Sequence, residues 1–348
     1  MRELATLFTG TIFMSEKISL SHGGGGRQSH ELIQSVFVSH FGTGGPMTDS
    51  ALLDVTSGTI AFTTDSYVVT PVFFPGGNIG KLAVCGTVND LAVSGAEPWY
   101  IAASFIIEEG FGMDDLRRIV IAMAEEAESA GVRIVTGDTK VVEKGQCDGI
   151  FITTTGVGML DCANKQISSG SLVRSGDRVI INGSSGNHAI TILAARRKLS
   201  FDTPLISDCA SLNRMIKKVL EEAGGVHFMR DLTRGGLAAV LNELAEMTRT
   251  GITVDEAAVP VDEPVRGLCE MLGFDPLSLA NEGKLIIVAS AERADNIVEI
   301  MRSDPSGTQA AVIGVITDSR PGRVILEGIT GGERFLEMPS GLQLPRIC

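Results

Sequence analysis

The stretch "GKLAVCGTVNDLAVSGA" at residues 80–96 repeats its apolar residues at helical spacing and closes beside Gly95. Composition changes on both sides of it. "TIAFTTDSYVV" (59–69) before it, and "VRIVTGDTKVV" (132–142) and "DGIFITTTGVGML" (148–160) after it, are rich in β-branched residues and read as strands. A second helical stretch, "MDDLRRIVIAMAEEAESAG" (113–131), ends on Gly131. This alternation predicts a mixed α/β domain over residues 15–165. The turn-rich "ANKQISSGSLVRSGD" (163–177) then leads into a second alternating half, with "RVIING" (178–183), a helix near 235–248 and the strand "KLIIVAS" (284–290). A second domain is expected over 166–332, giving an α/β (α+β) protein of two domains. The closing "GGERFLEMPSGLQLPRIC" (331–348) has two prolines, several glycines and no sustained period, so 333–348 reads as a flexible, extended tail. Residues 1–14, with Met14 as an alternative start, read as a dispensable extension.

Composition narrows the function. The chain has 348 residues, 44% hydrophobic and 20% charged, enough to bury a sizeable core. A formal charge of −13 opposes the phosphate backbone of nucleic acid, and no basic cluster interrupts the acidity. No apolar run approaches the roughly 18 residues of a membrane span. The six cysteines, at 85, 147, 162, 209, 269 and 348, form no CxxC pair and have no His cluster to complete a zinc site. Such usage suits free thiols in a reducing cytoplasm.

The last cysteine is the terminal residue. From Gly332 an extended chain would carry Cys348 on the order of 50 Å at about 3.3 Å per residue. Its own carboxylate opposes thiolate formation, so a site that uses this sulfur as a nucleophile must supply positive charge or a base.

Four aspartates sit at the edges of expected elements: Asp65 in "FTTDSY", Asp90 in "TVNDLAVSGA", Asp138 in "VTGDTK" and Asp231 in "MRDLTRGGL". Carboxylates converging from separate elements could hold Mg²⁺ against a polyphosphate, which would let an acidic protein bind an anion. Taken singly, each also reads as a cap or turn residue, and Asp231 as the start of a helix. "SHGGGGRQSHELI" places Gly23, Gly24, Gly25 and Gly26 ahead of a helix, where backbone amides suit phosphate, although a glycine run is also a flexible connector. "PGGNIGKLA" fails the spacing of the P-loop, with Leu82 where a hydroxyl is needed, and no G-x-G-x-x-G follows a strand.

The motifs "HGGGGR", "FFPGGNIGKLAVCGTVNDLAVSGAEP", "VTGDTKVVEKG", "RDLTRGGLA", "ANEGKL" and the terminal "PRIC" resemble the HypE family of hydrogenase maturation proteins. That family sits in the superfamily of aminoimidazole ribonucleotide synthetase, selenophosphate synthetase and thiamine-monophosphate kinase. The resemblance runs from about Ser15 to Cys348. It implies an N-terminal domain that dimerises through its β-sheet, a C-terminal α+β domain, and ATP with Mg²⁺ in a cleft between them. It implies that Cys348 accepts a carbamoyl group from the carbamoyltransferase HypF and that ATP-dependent dehydration turns the thiocarboxamide into a thiocyanate. The cyano group would pass to a HypC–HypD complex and become a ligand of [NiFe]-hydrogenase iron. By the same resemblance Asp65, Asp90, Asp138 and Asp231 hold Mg²⁺ and the phosphates, Gly23 to Gly26 close over the nucleotide, and Glu282 is a base for the amide N–H. Lys140 would neutralise the transferred phosphoryl group or orient Glu282. Without the family, Glu282 reads as an exposed turn residue and Lys140 as a solvated one; His22 and His188 read as structural. A small-molecule kinase or synthetase of the superfamily, or a non-enzymatic scaffold docking through its tail, are the alternatives. A selenophosphate synthetase would need a cysteine near the N-terminal glycines, and the first here is Cys85.

Overall fold

The computed structural model describes residues 17–19, 22, 31–41, 58–199, 205–339, 344 and 346–348. Residues 1–14 and the Gly23–Gly26 run lie outside the described residues.

The N-terminal half is built on a four-stranded sheet, β1 (Thr59–Tyr67), β4 (Ala96–Glu108), β5 (Arg133–Val142) and β6 (Ile150–Leu160), in the order β1-β6-β4-β5. β4 pairs antiparallel with β6 and parallel with β5. Against its inner face lies α1 (Ile79–Val93), and α2 (Met113–Ala130) packs on α1. A small hairpin, β2 (Phe73–Phe74) and β3 (Gly77–Asn78), feeds α1. Asn78 caps it, its side-chain oxygen accepting the N–H groups of Gly80 at 2.8 Å and Lys81 at 3.1 Å. The near-P-loop is therefore a helix cap.

α1 is apolar on all sides, and 13 of its 15 residues are buried; only Lys81 and Asp90 reach solvent. Such a helix needs cover from every direction. The sheet and α2 supply part of it. The C-terminal half supplies the rest: Ala92 and Val93 enter its core, and buried Asn89 takes the Leu212 N–H at 2.8 Å while donating to the Ala210 carbonyl at 3.0 Å.

That second half is a seven-stranded mixed sheet in the order β13-β12-β9-β11-β7-β10-β8. Its strands are β7 (Arg178–Ile181), β8 (Val226–Asp231), β9 (Gly251–Asp255), β10 (Leu285–Ala289), β11 (Ala311–Thr317), β12 (Val324–Glu327) and β13 (Glu333–Phe335). Along β10, Ile286 and Val288 face α5 (Gly236–Thr248), while Leu285, Ile287 and Ala289 face α4 (Asn213–Glu222) and α7 (Ala291–Arg302). A strand buried on both faces reads as a continuous apolar run, as "LIIVA" does. Two further α-helices are α3 (Asn187–Arg197) and α6 (Glu263–Leu272).

The expected tail differs at its root. Glu333–Phe335 pair antiparallel with β12, and Leu336 is buried in the core, its N–H bonded to the Val324 carbonyl at 3.0 Å. The boundary read at 333 therefore falls inside the sheet.

Gly80 marks the tightest helix contact: an added Cβ would lie 2.4 Å from the Ile119 carbonyl oxygen and 2.8 Å from Met123 Cγ. Gly80→Ala is expected to push α1 from α2 and destabilise the protein by roughly 1–3 kcal/mol, read as a lower urea midpoint at unchanged slope.

Candidate active site

The C-terminus is docked against the N-terminal half. The Val68 N–H donates to the terminal carboxylate of Cys348 at 3.0 Å, and the Thr70 N–H donates to the Arg346 carbonyl at 3.4 Å. Ile347 is buried in the N-terminal core, with Cys348 partly buried beside it. Arg346 donates through Nε to the Val68 carbonyl at 2.9 Å, pairs with Asp148, and lies over the Phe151 ring. These contacts hold Arg346 at φ 52°, a left-handed conformation unusual for a side chain of this size. Arg196 of α3 donates to the Thr70 and Arg346 carbonyls.

Docking decides the state of the sulfur. Burial, then the charge of Glu282, pushes the Cys348 thiol up to about 12, with Arg234 pulling the other way. Docked Cys348 is thus a neutral thiol near pH 7.

Glu282 itself is buried, and its Oε1 has no hydrogen-bond partner. Burial first, then Cys209, Asp208, Asp231 and Asp65, raises its carboxyl well above the usual range. Its backbone is fixed from the segment 205–210: Asp208 accepts the N–H groups of Glu282 at 3.3 Å and Gly283 at 3.1 Å. Lys284 pairs with Asp208 at 3.4 Å. An exposed turn residue would show none of this. An orphaned, desolvated carboxyl whose charge reaches a docked thiol is the mark of a group held ready for proton transfer.

Three of the four aspartates gather here. Asp65 lies in the inner row of β1, two residues before Tyr67, Asp90 projects from α1 and accepts the Thr63 hydroxyl at 2.7 Å, and Asp231 closes β8. Burial raises Asp90, helped by Asp65, while Arg230 and Arg234 lower it. Burial, then Asp90, raises Asp231 to about 7. Asp231 is not the helix start, because α5 begins at Gly236 with Gly235 as its cap. Among the described residues, no three His, Cys, Asp or Glu side chains are arranged to hold a metal ion by themselves.

Asp138 and Lys140 are elsewhere. Along one register line Asp65 faces Thr154, Thr154 faces Ala103 and Ala103 faces Gly137, all on the inner side. Asp138 belongs to the next line, with Ser66, Thr153 and Ser104, on the outer side. It is three strands from β1, on the order of 14 Å at about 4.8 Å per strand. Lys140 shares that outer face and pairs with Asp138 at 3.0 Å, a contact that lowers the Asp138 carboxyl. Within one chain, three of the four aspartates come together and Asp138 and Lys140 stand apart. Within the same chain it is Asp208 that fixes the Glu282 backbone.

Arg234 and Tyr67 were not singled out in the sequence. Tyr67 is buried, its hydroxyl seated over Gly86, where a Cβ would come within 2.2 Å. The "RDLTRGG" motif held Arg234 in plain view. His22 is structural, its Nδ1 2.8 Å from the Ser19 hydroxyl.

Asp231 gives a pH signature. Its carboxyl is raised when folded, so the stability it contributes is full below about pH 4 and is lost as pH rises through about 7. Asp231→Asn is expected to match wild type near pH 4 and to gain several degrees of Tm near pH 8, measured by thermal unfolding without nucleotide.

Comparison with known proteins agrees with this fold. Residues 47–160 match the AIR synthase related protein N-terminal domain, and residues 174–327 match the C-terminal domain of the same family. Carbamoyl dehydratase HypE of Rhodobacter capsulatus is 50% identical, over 96% of this chain and 98% of that one. A crystal structure of hydrogenase maturation protein HypE in complex with ATP superposes with a TM-score of 0.90 at 48% identity, covering 95% of this chain and 99% of that one. A HypE–HypF complex matches with a TM-score of 0.76 at 44% identity, over 90% of this chain and 100% of the matched one. The chain belongs to the AIR synthase related proteins and, within them, to the HypE carbamoyl dehydratases.

Proposed function

We propose that the chain is an ATP-dependent carbamoyl dehydratase whose substrate group rides on its own Cys348 and whose product is the cyano group of a hydrogenase iron ligand. The observation that carries this is the docked C-terminal segment, with Ile347 buried, Cys348 partly buried and the charge of buried Glu282 felt at the Cys348 thiol. A metabolite kinase has no need of a docked terminal thiol.

The residues divide the work. Undocked, Cys348 accepts a carbamoyl group from a HypF-type carbamoyltransferase, since the docked thiol is too weakly acidic to attack. Redocking returns the thiocarboxamide to Glu282. Bound ATP supplies the phosphoryl group that turns the amide oxygen into a leaving phosphate. Glu282, once ionised, is a strong base because burial raises its proton affinity, and it takes the amide proton. Loss of both nitrogen protons and the carbon–oxygen bond leaves S–C≡N, a net loss of one water. Asp65, Asp90 and Asp231 suit Mg²⁺: their oxygens are hard donors, and the burial and mutual repulsion that raise Asp90 and Asp231 would be relieved by a cation shared with phosphate oxygens. Gly23 to Gly26 are proposed to cover the nucleotide.

Partners follow from surfaces. The outer face of the N-terminal sheet carries Phe62, 70% exposed, with Ile60 at 48% and Ile106 at 43%. A second copy covering this face would bury them, and Asp138 and Lys140 on the same face would then serve the partner's site. The HypC–HypD complex is the proposed cyanide acceptor. Six free cysteines, and no helix among the described residues long and apolar enough to cross a membrane, suit a cytoplasmic setting.

Intact-mass analysis after incubation with the carbamoyltransferase, its donor and Mg-ATP is expected to show one carbamoyl group on Cys348, then ATP-dependent loss of one water. Glu282→Gln should load normally and lose water at least about 100-fold more slowly. An unmodified Cys348 with continuing ATP consumption would replace this reading with the small-molecule kinase.

A further inference from the structure

Buried His188, in the first turn of α3, touches neither the aspartates nor Glu282 yet holds the carrier directly. Its Nε2 lies 2.8 Å from the Ile347 carbonyl, one residue from the reactive sulfur. Its Nδ1 lies 2.8 Å from the Ser207 hydroxyl. The Cys209 N–H donates to that same Ser207 oxygen at 3.1 Å. The Ile347 carbonyl can only accept, so the imidazole carries its proton on Nε2 and donates to it, and in the neutral ring Nδ1 accepts from the Ser207 hydroxyl. Burial lowers the His188 pKa, which keeps the ring neutral in this tautomer. Phe74 closes one side, edge-on at 5.5 Å.

The segment that orients His188 is also the segment that holds Glu282. Ser207 is two residues from Cys209 and next to Asp208, whose carboxylate receives the Glu282 and Gly283 N–H groups. It has little room to shift. The Ser207 N–H donates to the Pro75 carbonyl at 3.0 Å, a Cβ on Gly76 would lie 2.8 Å from the Ser207 oxygen, and one on Gly283 would lie 1.8 Å from the Asp208 oxygen. Asn89 holds its far end at Ala210.

Resting on the carrier reading above, we propose that His188 is a positioning residue for dehydration: it docks the Ile347 carbonyl, and residues 207–209 fix the distance from that dock to Glu282. The segment is a gauge with the carrier at one end and the base at the other. A thiocarboxamide sulfur displaced by 1 Å would lose on the order of 100-fold in rate. Arg196 and Val68 hold the tail as well, through the Thr70 and Arg346 carbonyls and the Cys348 backbone.

The test uses the full chain and two readouts. Alkylation of Cys348 by iodoacetamide, located by mass, reports docking without any partner enzyme. Single-turnover loss of water from the carbamoylated protein reports positioning. His188→Ala should be alkylated about 10-fold faster at Cys348, the effect of one lost buried hydrogen bond. It should load with carbamoyl normally, bind ATP within about twofold of wild type, and lose water on the order of 100-fold more slowly. His188→Gln, whose amide can both donate to Ile347 and accept from Ser207, should recover most of both. Ser207→Ala should shift both readouts in the same direction by less, and serves if His188→Ala does not fold.

Wild-type alkylation and dehydration rates in both His188→Ala and Ser207→Ala overturn the proposal. So does a parallel loss of ATP affinity and Tm in His188→Ala and His188→Gln, which would make the residue merely structural. If wild type itself never loses water, the carrier reading falls, while the alkylation rates still decide whether His188 docks the tail.

Discussion

A helix with almost no solvent face organises this protein. α1 is buried at all but two of its positions, so a sheet and a single neighbouring helix cannot satisfy it. The C-terminal half has to close over it, and Asn89 ties that closure to a fixed register through two hydrogen bonds. The site follows from the exception. Asp90 is one of the two residues of α1 that reach solvent, and it does so where β1, β8 and the docked C-terminus meet. The acidic cluster sits at one of the two breaks in the packing of an apolar rod.

Desolvation dominates the chemistry of that cluster. Asp231, Glu282 and Cys348 are each moved first by burial and then by a neighbouring acidic group, Asp90 for Asp231, Cys209 for Glu282 and Glu282 for Cys348, so each favours its protonated form. The pocket is thus a store of proton affinity. A cation with phosphate would ionise the aspartates, and the amide proton of a docked carrier would find a base whose strength comes from exclusion of water.

Much of this was legible in the sequence. β1, β5, β6, α1 and α2 fall within two residues or so of the stretches that spelled them, because each has one dominant period or a Gly stop. β4, the central strand of its sheet, was missed: Ala102 and Ile106 on its outer face are apolar like Ile101 and Phe105 on its inner face, which erases the alternation. α3 and the short β13 were missed for related reasons, one an apolar run without a polar stripe, the other three residues long. Of the four aspartates the sequence marked all and could not sort them. Strand order, which sends Asp138 to the far edge and opposite face, leaves no trace in local pattern. The same holds for the tail, whose partners Val68, Asp148 and His188 lie hundreds of residues away or in the other half.

The tail pairs with 68–70 as a peptide adds to a sheet edge, except that the peptide is part of the same molecule. Only residues 337–347 separate Cys348 from Leu336, its last anchored neighbour in the core. A tether this short sets an effective concentration on the order of millimolar. Docking can therefore be weak in absolute terms and still be the resting state. On the carrier reading that weakness would have a use: a partner enzyme would need only modest affinity to draw the sulfur out, and the tether would bring it back.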